Sequence, residues 1–426
     1  MRFSPRRVII YFCILFILCA VVFTSFIKSL QNFRFTKISL LYDDSTSTEE
    51  IQILYSLSES FTTIRRMNTV LPTSTPSINY NVHIFYYPWY GDLEIDGKYF
   101  HWDHNYLPHW KAEVNEKYAD LIGKKHDPKI NDLACNFYPV LGPYSSRNRL
   151  VIEQHMKWIR STGTGVVVVS WYPPGKADDN GKPWDDLMSV VMDIAAKYDL
   201  KIAFHLEPYR DRSPDSIHGD INYIIENYAN HSAFFYYSST KGPKKPVFYI
   251  YDSYLIEVGQ WRRFFDNQDQ KSDAYFLGLI VQSGDERKIL NSGFHGFYTY
   301  FGADGFSYGS KRRNWIKLSK FSKENNLLSS FSVAPGYIDE RVRPWNKENT
   351  RPRQNGSYYE QGWRFALKSN PDFVSITSFN EWHEGTQIEP SITKISGNGF
   401  AYEDFSPNKP DYYLQLTTLY VKKFKK

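Results

Sequence analysis

Two glutamates three residues apart, Glu381 and Glu384, are the residues whose types and position best fit catalysis in this chain of 426 residues. They belong to the segment Asn380-Glu381-Trp382-His383-Glu384, directly after an apolar run at 373–379. Glycoside cleavage requires one group that protonates the departing oxygen and a second carboxylate that assists attack at the anomeric carbon. Surface helices often contain Glu-x-x-Glu, so the position of the pair after an apolar strand is what indicates an active site.

Metal-dependent chemistry fits the residues less well. His383-Glu384 resembles the start of a zinc-protease motif, but Gln387 stands where the second histidine would be. The remaining histidines show no tight metal-ligand spacing, and His101 and His104 are interpreted as structural. We therefore predict neither a metal nor a cofactor. The net charge of +5 without a concentrated basic stripe also predicts no nucleic-acid partner.

A (β/α)8 barrel is the fold predicted to position these glutamates. Eight short apolar or β-branched runs follow one another, with helical patterns between several of them. Near-continuous apolar strands separated by helices indicate a parallel sheet buried on both faces, and eight strands favour closure into a barrel. The predicted strands are 82–87, 165–171, 201–207, 246–252, 277–282, 296–301, 327–334 and 373–379.

Polar and aromatic residues accumulate where these strands end, which is where barrel enzymes build their active sites. Glu207 is a third candidate carboxylate or an acceptor for sugar hydroxyls, and the alternative is a buried, paired glutamate at the rim. Asp252 and Asp339 are similar cases. Tryptophans stack on sugars but more often pack in cores, so only some of them are expected to touch substrate. The candidate binding residues are Tyr87, Trp89, Tyr90, Trp171, His205, Glu207, Tyr209, Asp252, Tyr300, Tyr337, Arg343, Trp345, Asn346, Asn380 and Trp382.

The N-terminus predicts a membrane anchor. Residues 8–27 contain no charge and, at about 1.5 Å per helical residue, are long enough to cross a bilayer. Arg2, Arg6 and Arg7 precede the span, which places a cytoplasmic tail at 1–7 and the rest of the chain in the lumen. We expect a stem at 28–78 and a catalytic barrel at 79–426. Cys135 is the single thiol after the span, so an intramolecular lumenal disulfide is excluded.

Several motifs in order resemble the glycoprotein endo-α-1,2-mannosidase family, glycoside hydrolase family 99. The resemblance covers position 79 to near the C-terminus. It rests on Phe85-Tyr86-Tyr87-Pro88-Trp89-Tyr90-Gly91, Ser170-Trp171-Tyr172-Pro173-Pro174, His205-Leu206-Glu207-Pro208-Tyr209, Tyr298-Thr299-Tyr300-Phe301, Pro335-Gly336-Tyr337-Ile338-Asp339, Arg343-Pro344-Trp345-Asn346 and the stretch 378–389.

The resemblance implies a (β/α)8 barrel, a Golgi location as a single-pass type II membrane protein, and release of a glucosylated mannose unit from glucose-capped high-mannose N-glycans. It also implies retention of configuration, with Glu384 as acid/base and Glu381 assisting attack by the substrate's own 2-hydroxyl. A Golgi glycosyltransferase and a non-catalytic glycan-binding protein are the alternatives. A glycosyltransferase often has an Asp-x-Asp metal motif after a strand, and no convincing one is present. The intact Glu381 and Glu384 disfavour a non-catalytic binding protein. Asn230 and Asn355 begin N-glycosylation sequons, of which Asn230 is the favoured one.

Overall fold

A computed structural model describes residues 76–238, 243–267 and 273–425. The predicted tail and membrane span, together with all but the last three residues of the predicted stem, lie outside these ranges. Within them, no helix is both long enough and apolar enough to cross a bilayer.

Eight parallel strands close into a barrel in the described part of the chain. The strands are β1 (Asn79–Tyr86), β2 (Tyr138–Pro139), β3 (Thr164–Trp171), β4 (Lys201–Leu206), β5 (Tyr236–Ser238), β6 (Lys244–Ile250), β7 (Tyr275–Leu279), β8 (Gly296–Tyr298), β9 (Leu328–Val333), β10 (Phe373–Ile376) and β11 (Ser391–Ile392). The pairing runs β1-β3-β4-β6-β7-β8-β9-β10 and returns to β1, while β5 pairs antiparallel with β6. All eight predicted strands are present, so the predicted (β/α)8 barrel is confirmed.

Helices cover the outside of the barrel and return the chain between parallel strands. Their ends follow local sequence signals. Ser213 caps one helix reciprocally with Ser216, ahead of Pro214 at its first position. The helices are α1 (Leu93–Asp96), α2 (Ala112–Asn115), α3 (Arg149–Thr162), α4 (Met188–Lys197), α5 (Pro214–Tyr228), α6 (Val258–Asp266), α7 (Asp285–Ser292), α8 (Trp315–Glu324), α9 (Ser357–Ser369) and α10 (Tyr412–Val421).

The barrel interior is aromatic and polar, whereas the face toward the helices is apolar and includes phenylalanines such as Phe204, which packs on Tyr228, and Phe331, which stacks on Trp315. His83 Nδ1 lies 2.6 Å from the hydroxyl of Tyr249, and His205 Nε2 lies 2.8 Å from the hydroxyl of Tyr298. Ser332 and Ser375 join their hydroxyls at 2.7 Å across two neighbouring strands. Because buried polar groups are costly unless they are paired, this internal network fixes the side chains on which the mouth of the barrel rests.

Candidate active site

Glu381 and Glu384 lie on a loop whose two ends are joined to each other. This segment, 378–389, is called the glutamate loop below. The amide of Ser378 donates to the carbonyl of Thr386 at 2.9 Å, and the amide of Glu389 donates to the carbonyl of Phe379 at 2.9 Å. The loop starts two residues after β10 ends, at the C-terminal mouth of the barrel. Both glutamates are therefore held at the place where this fold builds active sites.

A buried carboxylate supports the glutamate loop from within. Glu389 accepts hydrogen bonds from the Tyr144 hydroxyl at 2.8 Å and from the Trp382 indole at 3.0 Å. Its other oxygen lies 3.2 Å from His155 Nε2, and both side chains of this pair are fully buried. Trp382, between the two catalytic candidates, is thus fixed by a charged acceptor in a low-dielectric interior, where such bonds are strong.

Arg353 holds the far end of the same loop. One of its terminal nitrogens donates to the carbonyls of Gly385 and Gln387 at 2.9 and 2.8 Å. The guanidinium carbon lies 4.4 Å from the ring centre of Phe137 and 4.6 Å from that of Tyr413. A planar cation stacked between rings is restricted in orientation, so these two carbonyls and the adjacent Glu384 are held in place.

The two candidate glutamates differ in their hydrogen bonds. Glu381 is buried, and its Oε1 accepts the amide N–H of His383 at 3.0 Å. Glu384 is partly exposed to the mouth, but its Oε2 is inaccessible to solvent and has no hydrogen-bond partner among the described residues. Backbone donors favour an ionised carboxylate, and an unpartnered buried oxygen favours the neutral acid. We therefore place a shared proton on Glu384.

Burial shifts both groups toward the acid form. Desolvation raises the pKa of Glu384 from 4.5 to about 7, with Arg343 opposing the shift and Asp339 adding to it. Desolvation also raises the pKa of Glu381, and repulsion from Glu384 raises it further. Because the groups are coupled, a proton on Glu384 removes that repulsion and lets Glu381 ionise. The pair thus supplies one acid and one base near neutral pH.

Tyrosine hydroxyls surround the glutamates. The Tyr87 and Tyr300 hydroxyls are hydrogen-bonded to each other, and the Tyr90 hydroxyl donates to the carbonyl of Asn380 at 2.9 Å. The side chain of Asn380 bonds both backbone groups of Tyr87 at 2.8 Å. Burial raises the pKa of all three phenols well above 10, so each remains a neutral donor and acceptor. Neutral hydroxyls and amides are suited to binding sugar hydroxyls.

A second polar group follows β4 and β6. His205 Nδ1 lies 3.0 Å from Glu207 Oε1, which makes Glu207 a paired rim carboxylate. Asp252 follows β6 with a left-handed backbone, and burial raises the pKa of its carboxyl. Arg212 donates to the Asp252 carbonyl at 3.0 Å and contributes positive charge beside it. In the barrel order β4 is separated from β1 by β3 alone, so this group lies around the mouth from the glutamates.

The loop 337–351 is closed at its base and contacts the glutamate loop. Tyr337 and Arg351 exchange backbone hydrogen bonds, and the amide of Ile338 donates to the carbonyl of Glu384 at 2.8 Å. Asp339 accepts from the Tyr337 hydroxyl at 2.9 Å, from Arg343 at 3.1 Å and from Asn346 at 2.9 Å. The charges of Arg343 and Asp339 both act on the pKa of Glu384. Three of the four predicted binding residues in this loop, Tyr337, Arg343 and Asn346, bond to Asp339. The fourth, Trp345, donates its indole N–H to the carbonyl of Leu107.

Trp89 is accessible at the mouth, but two other predicted tryptophans are fully buried. Trp89 is partly exposed and stacks on His101 at 4.4 Å. Trp171 is fully buried on the outer face of β3, where its indole N–H donates to Asp185 at 2.7 Å. Trp382 is also fully buried and uses its N–H on Glu389. Neither ring is open to a ligand, so both belong to the packing beneath the site.

Tyr209 lies at the rim with its hydroxyl directed to helix α5. It donates to Ser216 at 2.8 Å and contacts Asp220 at 2.5 Å, while Lys176 Nζ lies 3.6 Å from its ring centre. The hydroxyl is thus already engaged by the protein. Both sequon asparagines, Asn230 and Asn355, are exposed.

Tyr251 and His101 are mouth residues that the motifs did not single out. The Tyr251 ring lies 5.0 Å from His205 and 5.2 Å from Tyr300. Burial raises its pKa, and the charges of Asp252 and Glu384 raise it further. Extending the alternation of β6 by two residues from Tyr249 would have found it. His101 lies 3.3 Å from His383, and no sequence pattern relates these distant positions. No group of three metal-ligating side chains occurs within the described ranges.

A (β/α)8 barrel with two coupled, buried carboxyl groups at its mouth, surrounded by neutral hydroxyls, is the arrangement of a glycoside hydrolase. Residues 77–426 match the family described as Glycosyl hydrolase family 99, and the chain belongs to that family. It is therefore a glycoside hydrolase, which decides against both alternatives, the glycosyltransferase and the non-catalytic binding protein.

Similar proteins span most of the chain. A Xenopus laevis protein named glycoprotein endo-alpha-1,2-mannosidase is 48% identical over 357 residues, which cover 82% of this chain and 78% of that protein. A Homo sapiens glycoprotein endo-alpha-1,2-mannosidase-like protein is 44% identical, with coverage of 83% and 78%. The solved structure of the GH99 endo-alpha-mannosidase from Bacteroides thetaiotaomicron is 38% identical, with a TM-score of 0.73 and coverage of 82% and 98%.

Proposed function

We propose that the chain is a retaining endo-α-1,2-mannosidase that releases a glucosylated mannose unit from glucose-capped high-mannose N-glycans. The observation on which the proposal rests is the coupled pair Glu381 and Glu384 on the closed glutamate loop. The names of the similar vertebrate proteins support the linkage and the glycoprotein substrate. The neutral tyrosines around the pair support a substrate rich in hydroxyl groups.

In this proposal Glu384 is the general acid and then the general base. Its raised pKa keeps a proton available near pH 7, and the partly exposed side chain faces the mouth. Glu381 is the base that deprotonates the 2-hydroxyl of the mannose being cleaved, and the His383 amide stabilises its carboxylate form. Proton transfer by positioned carboxyl groups of matched pKa gives about 10²- to 10⁴-fold acceleration each.

The stereochemistry of an α-mannoside supports attack by the neighbouring hydroxyl. Its axial 2-hydroxyl lies anti to the leaving group and attacks from behind, forming a 1,2-anhydro sugar while Glu384 protonates the departing oxygen. Water then opens that ring at the anomeric carbon, as Glu384 takes a proton from the water and Glu381 returns its proton to O2, and two inversions give retention. Mass spectrometry of enzyme quenched during turnover tests this step. We expect no sugar on Glu381, and a glycosyl adduct there would establish direct attack.

Turnover of a glucose-capped high-mannose glycan by the purified full chain tests the activity. Glu384→Gln preserves shape but provides no acidic proton, so we expect turnover to be lost with little change in glycan affinity. Glu360→Gln, on the outer helix α9 and paired with Arg364, is the matched control and should remain active. Near-normal cleavage by Glu384→Gln would remove that residue from the acid role.

We also propose a Golgi membrane location with single-pass type II topology, residues 8–27 forming the anchor. The charge-free span, the preceding arginines and the exposed sequon asparagines support this topology. At least one of Asn230 and Asn355 should then be glycosylated. A mobility shift on glycosidase treatment of protein from its native cells measures it, and the absence of any shift would count against a lumenal domain.

A further inference from the structure

Trp110 and Trp345 form a pair of indoles, of which the first is exposed and the second is partly exposed. The Trp110 side chain is 78% exposed, the highest value among the large hydrophobic residues of the described chain. His109 stacks on Trp110 with ring centres 3.7 Å apart, and Trp345 meets Trp110 nearly at right angles, at 5.4 Å and 81°. A single exposed apolar residue is unremarkable, but two perpendicular indoles with a histidine form a corner with accessible flat faces. This set is called the aromatic corner below.

Hydrogen bonds fix the backbone beneath the aromatic corner. The amide of Leu107 donates to the carbonyl of Val342 at 2.8 Å, and the indole of Trp345 donates to the carbonyl of Leu107 at 3.0 Å. The side chain of Asn115 bonds both backbone groups of His109 at 2.7 and 2.9 Å. The corner is therefore preorganised, which lowers the entropy lost when a ligand binds.

One polar group of the aromatic corner remains available. His109 Nδ1 accepts the amide N–H of Lys111 at 2.9 Å, so the hydrogen of the neutral ring is on Nε2. That N–H donates to no acceptor among the described residues. An aromatic face with one adjacent donor matches a pyranose, which presents an apolar C–H face and hydroxyl groups at its edge.

The aromatic corner adjoins the acid side of the active site. Trp345 belongs to the loop 337–351, whose base bonds the backbone of Glu384 and whose Arg343 acts on the Glu384 charge. A general acid lies next to the oxygen it protonates, so this loop borders the leaving group. In an endo-acting enzyme the leaving group is the remainder of the glycan.

We propose that Trp110, Trp345 and His109 form an outer sugar subsite, which binds a pyranose of the departing glycan beyond the residues adjacent to the cleaved bond. This inference rests on the proposed endo-mannosidase function. The subsite should contribute to affinity for a whole glycan and not to the chemistry of bond cleavage, because none of its residues contacts Glu381 or Glu384.

Two substrates separate these contributions in the full chain. One is a free glucose-capped high-mannose glycan, and the other is a glucosyl-mannosyl disaccharide with a fluoride leaving group, too short to reach the corner. Trp110→Ala should lower kcat/KM for the glycan about tenfold, equivalent to about 1.4 kcal/mol, chiefly through KM. It should leave the fluoride unaffected. Trp110→Phe should restore most of the loss because it retains an aromatic face.

Tyr80→Ala is the matched control, since it removes an exposed aromatic ring at the start of β1, the end of the barrel opposite the mouth. Tyr80→Ala should leave kcat/KM unchanged for both substrates. Equal losses on glycan and fluoride with Trp110→Ala, or no loss on either, would overturn the subsite. If Trp110→Ala lowered kcat/KM for an intact glycoprotein but not for the free glycan, the aromatic corner would contact the polypeptide and not a sugar. If the wild type cleaves neither substrate, the proposed function fails, and calorimetric binding of the glycan to wild type and Trp110→Ala still decides the subsite.

Discussion

Removing either of the two charges beside Glu384 should move the basic limb of the pH–activity profile, and the two removals should act in opposite directions. Arg343 lowers the pKa of Glu384, and Asp339 raises it. Arg343→Gln removes the cation that stabilises the carboxylate, so the acid form should persist to higher pH. Asp339→Asn removes a like charge and frees Arg343 to face Glu384, so the proton should be lost at lower pH.

The size of the effect follows from the proton population. With an ordinary pKa of 4.5, about 0.3% of Glu384 would be protonated at pH 7, whereas about half is protonated when the pKa is about 7. The raised pKa thus increases the protonated fraction of Glu384 at that pH by about two orders of magnitude. A neighbouring charge shifts a carboxyl pKa by about one pH unit or more, so each variant should displace the basic limb by about that amount.

The measurement is kcat/KM for the free glycan between pH 5 and 9, which reports ionisation in the free enzyme. Tyr337→Phe is the matched control, because it deletes a hydrogen bond to Asp339 without changing any charge. Its basic limb should stay at the wild-type position whatever happens to the maximal rate. Displacement of both charge variants in the same direction, or of the control alone, would refute the assignment of this limb to Glu384.

Three further changes test the supports of the site. Glu389→Gln should lower kcat roughly tenfold to hundredfold with little change in KM, because the Trp382 anchor weakens and misplaces the glutamate loop, as steady-state kinetics would report. Trp171→Phe should cost about 1–2 kcal/mol in urea unfolding through loss of the Asp185 bond, with KM unchanged. Above pH 7, Glu384→Gln should have a free energy of unfolding up to about 3 kcal/mol larger than wild type, because burial penalises the wild-type carboxylate. Below pH 4.5 the wild-type group is protonated in both states, so this difference should vanish. Urea denaturation at several pH values measures it.

Strand positions were predictable from sequence, but the faces of the strands were not. In β3, Val166 to Val169 are apolar on both faces because the strand lies between the barrel interior and the helices. The alternation of apolar and polar residues along a strand is then absent from the sequence. Trp171 was therefore predicted to lie at the mouth, although its ring points outward to the helices. Where the interior is polar, as at His205 and Glu207 in successive inward positions, the alternation gives the correct face.

The sequence identified individual candidate residues on separate loops, but it could not predict which of them contact one another. The prediction of Glu381 and Glu384 as a pair used their spacing, whereas the role of Asp339 depends on the bond between the Ile338 amide and the Glu384 carbonyl. That contact joins the segment after β9 to the segment after β10, and no local pattern encodes it. The same limit applies to Arg353, which a sequence presents as one more charged residue before a helix.

The network beneath the glutamate loop explains how two carboxyl groups remain together in a buried site. Placing them side by side opposes folding, because each is desolvated and each repels the other. The interactions that offset this penalty act partly on the side chains, through the His383 amide and the charge of Arg343, and partly on the backbone that holds them. Glu389 holds Trp382 between the pair, and Arg353 holds the carbonyls that follow Glu384. The backbone of Glu384 is therefore fixed by the loop, while its buried Oε2 accepts no hydrogen bond within the described protein, which favours the neutral acid that the reaction requires.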